Sequence, residues 1–429
     1  MNTIAIVLLL GTFIGLILLK VPITFSLGIS SVLTAYYLHV PMAMLAQAMV
    51  KGIYSFSLMA IPFFIIAGEI MGQGGISKRL IAFSNVIVGH IRGGLALVNV
   101  LASMFFGGIS GSSVADSSSI GSILIPMMRK KGYDNDYSVA VTITGSTQGI
   151  LIPPSHNMII YAMVAGGVSV GRMFLAGMIP GILLGVALMV MAYIIAVKRN
   201  YPAEKRVPFK QALIATKDAA WGLFTFVIVV VGVITGLYTA TEAAAVAAVY
   251  AFIVTFFVYR DIPITKIGPI LLSSLKTLAI VMALISTSNA FGWMLAYLKV
   301  PALATQALLS ISSNKYVVLL VINILLLFLG CIMDMAPLIL ITTPILLPVA
   351  MQLGIDPVHF GIIMMLNLSI GLLTPPVGST LFVGCAIGNI SIEKLTKAMV
   401  PFYVTMIIVL MLITYVPQVV MFMPNLLMK

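Results

Sequence analysis

A frame of helix breakers recurs in this chain at a fixed distance of 222 residues. Without a gap, FGGISGSSVADSSSIGSILIPMMRKKGYD from Phe106 falls on FLGCIMDMAPLILITTPILLPVAMQLGID from Phe328. The register persists beyond that stretch. Pro126 meets Pro348, Gly132 meets Gly354, Asp134 meets Asp356, Gly149 meets Gly371, Pro153 and Pro154 meet Pro375 and Pro376, and Gly166 meets Gly388. Matched Leu or Val would mean little in a chain that is 61% hydrophobic. Glycine and proline instead fix where a backbone turns or a helix stops, so a shared frame of them predicts two halves of the same design.

The halves belong in a bilayer. Runs such as IAIVLLLGTFIGLILL exceed what a soluble core needs, and only 8% of residues are charged, which predicts an all-α polytopic membrane protein. The first run lacks a basic leader and a small-residue cleavage site, so it reads as a retained span. Spans are predicted near 2–19, 22–39, 54–73, 137–166 and 173–197, with a re-entrant hairpin at 95–128. The second half repeats them at 219–237, 242–259, 268–297, 357–388 and 398–420, with a hairpin at 317–350. The division is thus 1–197, a polar cytoplasmic linker at 198–217, and 218–429.

Five crossings per half, an odd number, make the repeat inverted, and the basic residues test that arrangement. With both termini outside, seventeen Lys and Arg fall on the cytoplasmic side, from Lys20 through Lys78, Arg79, Arg129–Lys131 and Lys198–Lys217 to Lys397. Only Lys51, Arg172, Lys299, Lys315 and Lys429 fall outside, and Lys276 lies within a span. The net charge of +12 therefore orients the chain in a membrane and does not point to nucleic acid. Cys331 and Cys385 are expected to stay unpaired, and no Cys/His spacing suits a metal.

Seven serines and Asp116 crowd into Gly108–Ser122, the middle of the first hairpin. Unwound backbone at membrane depth must line a cavity or find internal partners. Ser, Gly and Asp offer hard oxygen ligands of the kind alkali cations prefer. The facing broken span, TGSTQGILIPPSHN at 144–157, would present half-helix ends to a cation or an anion. The second half provides the same pair, LGCIMDMAP at its tip and NLSIGLLTPPVGST at 367–380, and the two pairs predict one pseudo-symmetric site near the bilayer midplane.

In AIPFFIIAGEIMGQGGIS, GGISGSSVADSSSIGSILIPMM, GLYTATEAAAVAA and GLLTPPVGSTLFVG the chain resembles the large membrane subunit of TRAP (tripartite ATP-independent periplasmic) transporters, from about residue 5 onward. The resemblance implies a Na+-coupled importer of organic acids in the bacterial inner membrane. It implies an elevator-type ion transporter fold, a separate small subunit of four helices, and a periplasmic substrate-binding protein. No other cofactor is expected. Ala240 stands where the family commonly has proline, and PPSHN where it has PPSIP or similar, which sets His156 and Asn157 beside the expected pocket.

Ser103, Ser110, Gly145, Thr147 and Gly149 are the expected first Na+ site, and Gly330, Asp334, Gly371 and Thr374 the second. Ser112, Ser113, Asn157 and Thr380 are expected to hold the substrate carboxylate. Each has a plainer reading: Ser103 and Ser110 as small residues that permit close helix packing, Asp334 as a helix cap or a lysine partner. Asp116, beyond the tip, is expected to N-cap the returning arm, with a cation-ligand role as the alternative, and Glu242 to cap a helix. Glu69 can be solvated near the inner interface, and Lys276 can snorkel. The stretch 77–94 is expected to be an interfacial arm linking domains, with a buried connector as the alternative. Two rival functions arise: a stand-alone Na+/carboxylate symporter, and an intramembrane serine protease using Ser110 in GISG with His156 as base.

Overall fold

The computed structural model describes residues 3–312 and 314–428, and apart from one isolated bridge between Arg92 and Ala203 its regular structure is helical. Lys429 and the first residues of the opening span lie outside the described residues. The first half contains α1 (Thr3–Leu18), α2 (Ile23–Tyr37), α3 (Met42–Ile53), α4 (Ala60–Gln73) and α5 (Ile76–Val88). A hairpin of α6 (Gly94–Ser110) and α7 (Ser113–Lys130) follows, then a broken helix of α8 (Asn135–Ser146), α9 (Gln148–Leu151) and α10 (His156–Val164), then α11 (Val170–Lys198). The second half contains α12 (Phe209–Ile234), α13 (Ala240–Ile253), α14 (Ile267–Tyr297) and α15 (Val300–Ile311). Its hairpin is α16 (Lys315–Gly330) with α17 (Met335–Gln352), its broken helix α18 (Pro357–Gly371) with α19 (Ser379–Gly388), and it closes with α20 (Ile392–Tyr415) and α21 (Pro417–Leu427).

The offset read from glycine and proline reappears in the helix starts. Ser113, Asn135 and Val170 begin α7, α8 and α11, and the residues 222 positions later, Met335, Pro357 and Ile392, begin α17, α18 and α20. Caps explain the coincidence. Ser112 and Asp334 are the N-cap residues of the returning arms, Asp134 and Asp356 those of α8 and α18, and Ser169 and Ser391 those of α11 and α20. Ser112, Asp356, Ser169 and Ser391 each accept a hydrogen bond from a first-turn amide, which fixes where those helices start, whereas Asp134 and Asp334 hold the same position without a side-chain cap bond. Asp116 is not such a cap. The returning arm begins three residues before it, at Ser113, and the Ser112 hydroxyl accepts from Ala115 N. Glu242 does cap α13, in a reciprocal box with Thr239.

Six helices among the described residues are long and apolar enough to cross a bilayer, or seven if α4 and α5, bent by 71° to each other, count as one. The bend falls where the sequence leaves the third span and enters the expected arm. Three helices were not expected, α3, α15 and α21. The third span of the first half is preceded by α3 and a 3₁₀ turn at Phe56–Met59, whereas its counterpart in the second half is the single α14 of 31 residues. Packing sorts the helices: α4 lies on α13 and α14, with α2 and α3 on α14, while α6, α7, α8, α11, α19 and α20 pack among themselves. α5 touches α6 and α12, and α15 touches α17, so these two arms connect the groups.

The linker is shorter and more ordered than its polarity suggests. Residues 199–204 form a strap under the first hairpin: Gly93 N donates to Pro202 O at 3.0 Å, Arg92 Nη2 to Asn200 Oδ1 at 2.7 Å, and Lys131 pairs with Glu204 at 3.0 Å. Tyr201 packs tilted against both Tyr133 and Tyr137, with ring centroids 4.5 and 5.1 Å away. Its hydroxyl donates to Asp134 at 2.6 Å, where Arg199 adds an ion pair at 2.8 Å. The Tyr201 hydroxyl and the Arg199 charge hold the Asp134 carboxyl below its ordinary range. α12 then begins at Phe209, well inside the expected linker.

Candidate functional site

The site is assembled from two crossings, each made by a hairpin arm against a broken helix. In the first, α6 runs beside α8 and α9 so closely that a Cβ on Gly107 would stand 2.2 Å from the Gly149 Cα. In the second, a Cβ on Gly371 would stand 2.5 Å from the Gly330 Cα. Backbone meets backbone at both, which only glycine permits. Beyond these contacts each helix breaks, after Leu151 and after Gly371, and each break carries its proline pair in the cis form. The tips rest on the breaks. Gly111, with φ of +61°, turns the first tip against Pro154–His156, and Val377 N donates to Cys331 O at 3.0 Å in the second.

Hydroxyls join the two halves. Thr380 Oγ1 donates to Ser113 Oγ at 3.1 Å, Ser113 and Ser146 are 2.7 Å apart, Ser117 donates to Ser146 at 2.9 Å, and Ser146 donates to Ile143 O at 2.8 Å. This chain runs from α19 of the second half through α7 to α8 of the first. Ser113 and Ser117 share a helix face at i, i+4 spacing, the one sequence signal that points to it. Ser146 and Ser117 were absent from the expected site.

The expected residues do not all meet in one place. Ser112 and Ser110 sit at the first tip, where the Ser112 amide donates to Ser110 Oγ at 3.4 Å. Asp334 occupies the corresponding place at the second tip, exposed, accepting from Ser379 Oγ at 3.2 Å and within electrostatic reach of His156. Asn157 is buried just beyond the first break. Ser113 and Thr380, expected to bind substrate, are buried and bonded to each other. Ser103 stands apart from Ser110: seven residues of helix separate them, about 10 Å of rise, too far for one ion. Ser103 lies instead beside Gly145. The expected carbonyl donors are partly engaged, since Thr147 O accepts from Ile150 N at 3.1 Å and Gly371 O from Thr374 N at 2.9 Å. Each retains one lone pair. The Thr374 hydroxyl turns back to Ile370 O at 2.8 Å. Ser110 Oγ has no bond to His156 among the described residues, so the dyad of a protease is not assembled.

Two clefts flank these crossings. One of about 510 Å³ is lined by Ser118, Ser119 and Ser122 of α7 together with Gln73, Lys78 and Arg79, and Arg79 is ion-paired to Asp261. The other, about 400 Å³, lies between α3 and α14 on one side and α10 and α17 on the other, with Lys51, Ser288 and Asn289 in its wall.

Paired hairpin tips on paired helix breaks, inside a bundle of bilayer-length helices, define the chain as a polytopic membrane transporter. The fold is shared with the YdaH transporter of Alcanivorax borkumensis, at a TM-score of 0.64 over 87% of this chain and 88% of that one, with 16% identity. Residues 10–419 match the family described as Tripartite ATP-independent periplasmic transporter, DctM component, and the chain belongs to that family. It is 43% identical to the protein YgiK of Salmonella typhimurium, over 98% of this chain and 97% of that one. It is 38% identical to the C4-dicarboxylate TRAP transporter large permease protein DctM of Rhodobacter capsulatus, over 98% and 99%. The family consists of transporter permeases, which removes the protease alternative.

Proposed function

We propose that this chain is the large permease of a Na+-coupled importer that moves an organic acid across the bacterial inner membrane. Its proposed partners are a small four-helix membrane subunit and a periplasmic substrate-binding protein. The observation that carries this reading is the doubled crossing of hairpin and broken helix, joined across the halves by the Thr380–Ser113–Ser146 hydroxyls. Such a joint couples what happens at one tip to the other. The two halves are proposed to be an inverted repeat with both termini periplasmic, and the group containing both hairpins to move against the group built on α4, α13 and α14.

At the second tip Asp334, with the backbone of Gly330, Gly371 and Thr374, supplies a carboxylate and carbonyl oxygens suited to Na+. At the first tip Ser110 and Ser112 offer hydroxyls, with Gly149 behind them. Between the tips, Ser112, Asn157 and His156 offer donors to a carboxylate once Na+ has balanced the charge of Asp334. Ser113 and Thr380 contribute from beneath by fixing the spacing of α7 and α19. An anion that leaves toward Lys78 and Arg79 passes the serines of α7, a polar lane in an otherwise apolar bundle. Because loaded tips differ from empty ones in free energy, cation occupancy biases which state moves. A C4-dicarboxylate is the first substrate to try, given the relatives.

The test is uptake into proteoliposomes that hold this chain and its small subunit, with and without a Na+ gradient and the binding protein. Uptake that requires both supports the reading. Uptake driven by Na+ with no binding protein present would make the chain a stand-alone symporter.

A further inference from the structure

We propose that Asp116 and Ser103 form a cation site of their own inside the first hairpin, below the tip, and that it takes Na+; this rests on the cation-coupled reading above. Asp116 is 0% exposed, and neither oxygen of its carboxyl has a hydrogen-bond partner among the described residues. Ser103, also 0% exposed, has a hydroxyl that faces that carboxyl and has no other partner among the described residues. The other hydroxyls of the layer send their protons elsewhere. Ser113 and Ser146 share a hydrogen bond, Ser117 donates to Ser146, and Ser146 donates to Ile143 O. No ion pair among the described residues involves Asp116. An uncompensated carboxylate at this depth is among the costliest groups a membrane protein can bury, and such groups line ion paths.

The second half acts as an internal control. The positions 222 residues after Asp116, Ser117 and Ser146 are Leu338, Ile339 and Leu368, all buried. In the same register Ser103 falls on Leu325, which is 38% exposed. The same crossing is therefore built from hydrocarbon once and from oxygen once, so folding the hairpin does not require the acid. One carboxylate with hydroxyls around it suits a monovalent ion, and the described residues hold no cluster of three metal-ligating side chains that would favour a divalent one. Held there, Asp116 and Ser103 would clamp α7 to α6 and Gly145. The hydroxyl chain then passes that order to Thr380 on α19.

The experiment uses the complex of this chain with its small subunit in nanodiscs, following thermal stabilisation by Na+ against choline at several pH values, and Na+-dependent uptake in proteoliposomes. Asp116→Asn is expected to raise the Na+ concentration for half-maximal response about tenfold, a loss of one charge-assisted interaction. It should also lower the Hill coefficient of uptake by about one ion. Ser103→Ala is expected to raise the half-maximal concentration about threefold. The double variant Asp116→Leu with Ser103→Leu, patterned on the second half, should fold and show the same loss. Wild-type Na+ curves in these variants would overturn the site while leaving the cation-coupled reading intact. A change confined to the pH dependence would overturn it in favour of a proton. A wild-type complex indifferent to Na+ would sink both.

Discussion

The first and second hairpins place their acids at different depths. At the second, Asp334 stands exposed at the N-cap position of α17, its carboxylate accepting from Ser379 and not from the helix amides. At the first, the equivalent cap is the neutral Ser112, and the acid, Asp116, lies a turn further in, where the second hairpin has Leu338. Backbone and polarity are thus assigned separately. The breakers, caps and close approaches are common to both hairpins and make the shape; the side chains of the buried layer differ and make the chemistry. Where two stretches of one chain share breakers and caps, the places where they differ are therefore the places to look for function.

The comparison breaks most easily where the halves agree. Gly149→Ala and Gly371→Ala each push a methyl into opposing backbone, which cannot rotate away. Overpacking of this kind costs about 1–3 kcal/mol or more. Both variants should lose the monodisperse, folded complex in size-exclusion chromatography, and tolerance of one but not the other would show that the crossings are not equivalent. Next in size is the effect of Asp334→Asn, which should raise the Na+ requirement of uptake by roughly five- to tenfold through loss of the tip charge. An unchanged Na+ curve would remove Asp334 from the site and leave the first hairpin as the cation-sensitive one. A smaller change is expected from Thr380→Val, which deletes one of the hydrogen bonds between the halves. It should lower stability by about 1 kcal/mol, read as a reduced melting temperature, and it should weaken the Na+ response without changing its ion specificity.

The smallest effect lies at the strap. The Asp134 carboxyl is held low in the folded chain by Tyr201 and Arg199. Its contribution is present above the unfolded value of about 3.9 and fades as pH falls below it. The group is largely exposed, so a few tenths of a kcal/mol are at stake. Asp134→Asn should slightly lower the melting temperature at pH 6 and show a shallower further loss between pH 5 and pH 3.5.

Much of the backbone was legible in advance because glycine, proline and short caps act locally. α9 ends at Leu151 and α18 at Gly371, beside the glycines and proline pairs that stop them. α3, α15 and α21 were not legible, since short apolar helices carry no mark that separates them from the spans they adjoin. Asp116 was misread for a related reason. A serine-rich run offers several equivalent caps, and only the depth to which α7 is buried reveals that Ser112 does the capping. The meeting of Thr380 with Ser113 spans 267 residues and has no local signature.

The strap also sets a leash. Its last anchors are Lys131 on Glu204 and Glu204 N on Gly89 O, and α12 resumes at Phe209. Only Lys205–Pro208 bridge the two, and fully stretched they reach about 17 Å at ~3.4 Å per residue. Any displacement of the hairpin base relative to α12 larger than this would have to peel the strap from the hairpin or unwind the start of that helix.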